Sequence, residues 1–297
     1  MENSFRIADN IDMITKQACA KVNLTLEVLR RRGDGYHEVR TIMQAIDISD
    51  TLTFESATEI NLVCSDSSLQ NADNLVSKAA LLLRDHANCR EGARINLTKR
   101  IPGAAGLGGG SSNAAATLAG LNELWGLGLP LPDLAFLAAK LGSDVPFFLH
   151  GGTALAEGRG ERITPLKRTL MNWIVLLFPE VAIPDKKTAR LYGELSAKSF
   201  TTGDLTKGVV RRIETGLPLE DADLCNVFDD AAGVIFPGLE EFRKTAERKI
   251  GQRLHLAGSG PTLFAWCKEE TNAMGIRQRL IAEDHSTHVA RTTAPFP

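Results

Sequence analysis

The segment Lys99–Gly126, KRIPGAAGLGGGSSNAAATLAGLNELWG, constrains this chain more than any other. Its first half is glycine-rich, with Gly103, Gly106, Gly108, Gly109 and Gly110 close together. Its second half places Ala114, Leu118, Leu121 and Trp125 on one helical face. Ser111 or Ser112 is positioned to cap that helix, and Gly126 stands where a left-handed stop is expected. Glycine permits positive φ and lets the backbone approach a ligand closely. A helix N-terminus adds unpaired N–H groups and the positive end of a dipole. A polyphosphate is the ligand that such a pairing fits best; the alternative is a flexible loop before a capped helix. The Walker A pattern fails because no lysine follows the glycines. The dinucleotide fingerprint fails because, counted from Gly106 and Gly108, its third glycine position holds Ser111.

The rest of the chain sets this loop in an ordinary globular protein. With 34 Lys+Arg against 36 Asp+Glu, the net charge of -2 argues against nucleic acid as the main partner. The cysteines Cys19, Cys64, Cys89, Cys225 and Cys267 are odd in number and form no C-x-x-C pair, so reduced, structural thiols are expected. Met1–Gln17 carries acidic residues and no long apolar run, unlike a secretory signal. The longest apolar stretch, Trp173–Phe178, is far short of the roughly 20 residues of a membrane helix. The cytoplasm is the expected compartment, with no membrane partner.

Alternation predicts strands at 18–29, 37–48, 50–54 and 93–97, with a turn at 30–36 built on Asp34-Gly35. Helices are expected over 75–83, capped by Asp73 or Asn74, and over 133–141, ending at Gly142. The segment 151–164 is glycine-rich and changeable in character, and a domain boundary is placed near Pro165. Beyond it, strands are expected at 173–178, 253–257 and 262–266, and helices at 188–195, 226–235 and 239–249.

The loop of Pro102, Gly103, Ala104, Ala105, Gly106, Leu107, Gly108, Gly109, Gly110, Ser111 and Ser112 resembles the phosphate loop of the GHMP small-molecule kinases. That superfamily is named for galactokinase, homoserine kinase, mevalonate kinase and phosphomevalonate kinase. Gly258-Ser259-Gly260-Pro261-Thr262 resembles its second glycine loop. Three further segments are similar to one branch, whose acceptor alcohol carries a cytidyl group: Ala20–Leu24, Gly33–Glu38 and Leu141–Pro146. The resemblance runs from about Cys19 to Trp266. It implies an α+β, two-domain fold: a ribosomal-protein-S5-like ATP-binding domain over 1–165 and a ferredoxin-like domain over 166–297. It also implies a kinase that uses ATP and Mg²⁺ on a small-molecule substrate, as a monomer or homodimer.

Site residues follow by resemblance. Asp144 is the base that takes the acceptor hydroxyl's proton; on residues alone it is equally a turn aspartate. A carboxylate of ordinary pKa, about 3.9, suffices where the proton leaves late. Lys21, a charge within a strand pattern, lies by resemblance beside Asp144 and keeps it ionised; an exposed strand lysine is the alternative. Asn23 shares its strand face and is a substrate hydrogen-bond partner. Tyr36 stacks on the cytosine, His37 meets its edge, and Tyr192, one helical turn after Thr188, closes the other face. Ordinary helix packing is the alternative for Tyr192. Asn74, Leu75 and Lys99 stand at adenine-side positions, where a cap and a surface lysine are the alternatives. Ser112 is the metal-side residue, with Mg²⁺ leaning mainly on ATP phosphates. Lys186-Lys187 could meet a substrate phosphate, and a solvated turn is the expected reading. Ala104 and Ala105 replace possible glycines and stiffen the loop. Two rivals stand: a kinase for mevalonate or homoserine, which have no base to stack, and a non-catalytic nucleotide sensor, which needs no base beside a lysine.

Overall fold

The computed structural model describes residues 13–167, 171–283 and 285–294. Most of Met1–Gln17 and the last residues of the chain lie outside them. Two long antiparallel strands, β1 (Ile14–Arg31) and β2 (His37–Ala57), form the spine. Both outrun the expected segments, and β2 is continuous where two strands were expected. Register shifts at Cys19/Ala20, Asn23/Thr25 and Val28/Arg30 absorb the breaks in alternation.

The chain continues through β3 (Ile60–Cys64), α1 (Leu75–His86), β4 (Gly92–Thr98), α2 (Gly109–Leu124), α3 (Leu131–Leu141) and the short α4 (Phe147–His150). The changeable segment 151–164 is mostly a hairpin, β5 (Thr153–Gly158) and β6 (Arg162–Pro165). Then come β7 (Trp173–Phe178), α5 (Lys187–Glu194), α6 (Asp204–Glu214), β8 (Cys225–Asn226), α7 (Asp229–Ile235), α8 (Leu239–Ile250), β9 (His255–Leu256), β10 (Leu263–Cys267), α9 (Glu270–Ile281) and β11 (Ser286–Arg291).

One sheet has the order β3-β4-β2-β1-β8, with β5 also on β2 and β6 on β5. The other runs β11-β7-β10-β9. Strand periodicity decides where the core sits. On β7, Ile174 and Leu176 pack with Ala20, Val22 and Leu24 of β1, between the sheets. Val175 and Leu177 point the other way, into a core with α7, α8 and α9. A third core packs α1, α2 and α3 against the first sheet through Phe54, Leu83, Leu118 and Leu137.

Asn74, not Asp73, caps α1: its side chain accepts from the Val76 N–H at 2.9 Å. The expected helix from Asn226 begins only at Asp229, because the Asn226 amide donates to the Leu256 and Gly258 carbonyls and holds it in a strand bridge. Gly126 has φ +58 beyond the end of α2, as the stop signal requires.

Candidate active site

β1 supplies the first side chains. Apolar Ala20, Val22 and Leu24 turn toward the inter-sheet core, so Lys21 and Asn23 share the opposite face. Both are buried. Lys21 Nζ donates to Asn23 Oδ1 at 2.6 Å, Asn23 Nδ2 donates to Thr41 Oγ1 at 2.7 Å, and that hydroxyl donates to the Thr25 carbonyl. The chain of bonds fixes Lys21 as a buried cation with a defined direction. Its Nζ lies 3.5 Å from Asp144 Oδ2. Asp144 follows the end of α3 and precedes Pro146, and a third of its side chain is exposed. The Lys21–Asp144 pair expected from sequence is therefore formed, with the carboxylate open to a ligand.

The glycine loop is strapped to this pair: the Lys21 N–H donates to the Leu107 carbonyl at 3.0 Å. Gly106 and Gly108 adopt φ +86 and +74. Gly108 itself is the N-cap of α2, so Ser111 and Ser112 fall inside the first turn and neither caps it. The serine expectation fails because a left-handed glycine starts the helix earlier. Ala104 also has positive φ, +53, so it is held in a left-handed turn rather than merely stiffening the loop. Ser112 Oγ is buried with no hydrogen-bond partner, and so is Asn113 Oδ1 beside it. Ser112 is in the first turn of α2 and Asn113 just beyond it, and their unspent oxygens are donors of the kind a hard cation takes.

Lys99 is no surface lysine. It is paired with the fully buried Asp50, which also accepts the N–H groups of Arg100 at 2.6 Å and Ile101 at 2.9 Å. Asp50 thus holds both Lys99 and the start of the loop. The Leu75 side chain lies across from Gly110. Asn74 caps α1 and donates to the Leu69 carbonyl at 2.8 Å, so its amide is already occupied.

One cavity of about 590 Å³ gathers Lys21, Asn23, Asn74, Leu75, Lys99, Pro102 to Ser111, Asp144, Thr188 and Tyr192. Ser112, Tyr36 and His37 do not line it. Tyr36 sits in a turn fixed by the Asp34 carboxylate, which accepts its N–H at 3.1 Å, and by Gly35 at φ +86. Tyr36 is 53% exposed, with the Arg159 guanidinium 4.8 Å from its ring centroid. Tyr192 does not face Tyr36 in this structure. His37 is stacked on it at 4.7 Å, and Phe228 meets it edge-on. Burial and then nearby Asp144 push the Tyr192 phenol's pKa up, so it stays neutral. Burial and then Arg31 lower the pKa of His37, so its imidazole is neutral near pH 7.

Lys187 overturns the solvated-turn expectation. Lys186 is exposed, but Lys187 turns inward and donates to Ser259 O at 3.0 Å, Ser259 Oγ at 3.1 Å and the Gly260 carbonyl. Burial, with the charge of Lys21, lowers its pKa to about 8. Asp50, Asn113 and Arg159 are residues around this cavity that sequence reasoning passed over, and Lys187 is one it set aside in favour of a solvated turn.

The glycine loop opening a helix, the Lys–Asp pair and the second loop define a class, and the comparisons agree with it. Residues 74–152 match the GHMP kinases N terminal domain, and residues 207–285 match the GHMP kinases C terminal domain. A 4-diphosphocytidyl-2-C-methyl-D-erythritol kinase of Dehalococcoides mccartyi is 44% identical over 286 residues, covering 96% of this chain and 100% of that protein. The Geobacillus kaustophilus protein of the same name is 40% identical over 263 residues, covering 86% and 88%. A crystal structure of 4-(cytidine 5'-diphospho)-2C-methyl-D-erythritol kinase superposes with a TM-score of 0.78 at 33% identity, over 95% of this chain and 100% of the other. The chain belongs to the 4-diphosphocytidyl-2-C-methyl-D-erythritol kinase family of the GHMP kinases.

Proposed function

We propose that this enzyme transfers the γ-phosphoryl group of ATP to the 2-hydroxyl of 4-diphosphocytidyl-2-C-methyl-D-erythritol, a step of non-mevalonate isoprenoid precursor synthesis. The observation that carries this is the buried Lys21 pointing at the open carboxylate of Asp144, 3.5 Å away, beside the glycine loop. Asp144 accepts the hydroxyl proton. Lys21 orients that carboxylate and offsets charge on the transferred group. The N–H groups of Gly103 to Ser111 and the start of α2 hold the phosphates. Lys99, fixed by Asp50, stands on the nucleotide side with Leu75 and Asn74. Ser112, with Asn113, would hold Mg²⁺, which when bound neutralises phosphate charge. Catalysis is positioning and electrostatics, without a covalent enzyme intermediate.

On the acceptor side, Asn23 and Thr188 contact the substrate, Tyr36 stacks on the cytosine and His37 meets its edge. Tyr192 backs that assembly, and a base sandwiched between the two tyrosines requires His37 to leave the Tyr192 face. The proposed domain boundary lies near Pro165: the strands up to it join the first sheet, and β7 onward joins the second, with β8 excepted. The five free cysteines suit a reducing compartment, and the cytoplasm is proposed. No helix among the described residues is long and apolar enough to cross a membrane.

The test is ADP release from Mg-ATP with the cytidyl substrate, with mevalonate and homoserine in parallel. Turnover with the cytidyl substrate alone is expected. Turnover with a simple alcohol, or none despite ATP binding, overturns the assignment. Asp144→Ala is expected to lower kcat by orders of magnitude while leaving the thermal unfolding midpoint within a few degrees. A variant with near-wild-type kcat removes Asp144 from the proton-accepting role.

A further inference from the structure

Four cations line the cavity: Lys21, Lys99, Arg159 and Lys187. Three are committed to the protein. Lys21 is bound to Asn23 and faces Asp144, Lys99 is paired with Asp50, and Lys187 is spent on the second glycine loop. Arg159 differs. Its ion pair among the described residues is a loose one, with Nε 3.8 Å from Glu161 Oε1, while the Glu161 carboxylate takes the Arg159 backbone N–H at 2.6 Å. Its guanidinium, about a third exposed, keeps donors unspent.

Its location is as specific as its charge. Arg159 occupies the tight turn between β5 and β6. On one side its guanidinium lies over the Tyr36 ring. On the other, its neighbour Gly160 abuts the catalytic loop: a Cβ there would meet the Ser143 Cβ at 3.5 Å and Asp144 Oδ1 at 3.9 Å. Arg159 lines the cavity and Tyr36 does not, so Arg159 stands between the base-binding turn and the reacting centre. On the reading above, on which this inference rests, the substrate carries its base at one end and its alcohol at the other. A diphosphate lies between them.

We propose that Arg159 is the residue that recognises the diphosphate of the acceptor substrate and thereby sets specificity for a nucleoside-diphosphate-linked alcohol. A guanidinium suits this task because its fork offers paired donors to phosphate oxygens. Stacking on Tyr36 limits its rotamers, so less freedom is lost on binding.

The test compares binding of cytidine diphosphate with binding of cytidine by calorimetry. The wild-type chain, Arg159→Gln and Arg159→Lys are used. Gln keeps much of the packing on Tyr36 and removes the charge. Arg159→Gln is expected to weaken cytidine diphosphate at least tenfold and to change cytidine less than twofold, with Arg159→Lys between. In turnover, the same variant raises the KM for the cytidyl substrate and leaves the KM for ATP unchanged. Equal losses for the two probes would make Arg159 a support for Tyr36 and overturn the proposal. So would a wild-type chain that binds the two probes alike. Failure of the substrate assignment shows separately, as absent ADP release by the wild-type enzyme.

Discussion

The two glycine loops of this molecule look alike in sequence and are built for opposite purposes. In the first, Gly103 faces open space and Gly110 has its nearest neighbour, Leu75 Cδ1, at 3.8 Å from a would-be Cβ. In the second, nothing is open. A Cβ on Gly258 would lie 2.7 Å from both the Gly106 carbonyl and Lys21 Nζ, and one on Gly260 would lie 2.7 Å from Leu256 Cδ1. Gly106 and Gly108, within the first loop, belong to the crowded group: a Cβ on Gly106 would press on the Ala257 carbonyl and sit 2.7 Å from the Gly260 nitrogen, and one on Gly108 would lie 2.6 Å from Phe148 Cζ. Open glycines leave room for a ligand. Crowded ones let two backbones and the Lys21 ammonium meet. The second loop supports the first, and Lys187 clamps it there.

The contrast is broken most sharply at Gly258. Gly258→Ala strains a backbone at φ +55 and drives a methyl into Lys21 Nζ, so kcat is expected to fall about a hundredfold, the cost of an ångström's misplacement. Steady-state kinetics that stay within threefold of wild type would mean that the second loop does not set the position of Lys21. Next comes Lys187→Met, which frees the second loop without filling it. A several-fold loss of kcat is expected. Its stability effect has a definite sign. The folded pKa is near 8 against an ordinary 10.5, so from pH 8 to 10.5 the unfolded chain holds the extra proton. Wild-type stability therefore gains a contribution as pH rises through that window, and Lys187→Met lacks it. Urea unfolding at pH 7.5 and 9.5 measures the difference, and identical slopes for the two proteins would refute it. The smallest effect is at Gly103→Ala: stability within about 0.5 kcal/mol of wild type and at most a modest rise in the KM for ATP. A large loss of stability there would show that the open half of the loop is packed after all.

Much of the site was legible because its signals are local. Lys21 and Asn23 share a face by strand alternation, and Asp144 sits in a loop set off by Gly142 and Pro146. The glycine loop and α2 were readable as a unit. The start of α2 was not, since the choice between Gly108 and the serines rests on a left-handed φ that glycine allows without announcing. Lys187 was read as solvated because its acceptors, Ser259 and Gly260, lie more than 70 residues on and are mostly backbone carbonyls. Asp50 escaped notice for a similar reason, being a lone acid at a strand position whose partners come from residues 99–101. The stacking of His37 on Tyr192 depends on how the β1–β2 turn meets α5, which pattern alone does not specify.

Cys225 and Asn226 come from the later half of the chain yet run parallel to Thr25 and Leu26 in the first sheet, and the Val227 N–H donates to the Leu26 carbonyl. Asn226 in turn grips the Gly258 carbonyl, and Thr25 lies four residues along the strand from Lys21. A chain severed at Pro165 would leave each fragment holding one edge of that seam. The halves of this kinase are therefore not cassettes to be traded between relatives: a chimera must inherit β1 and β8 from the same parent, or Lys21 loses its anchor.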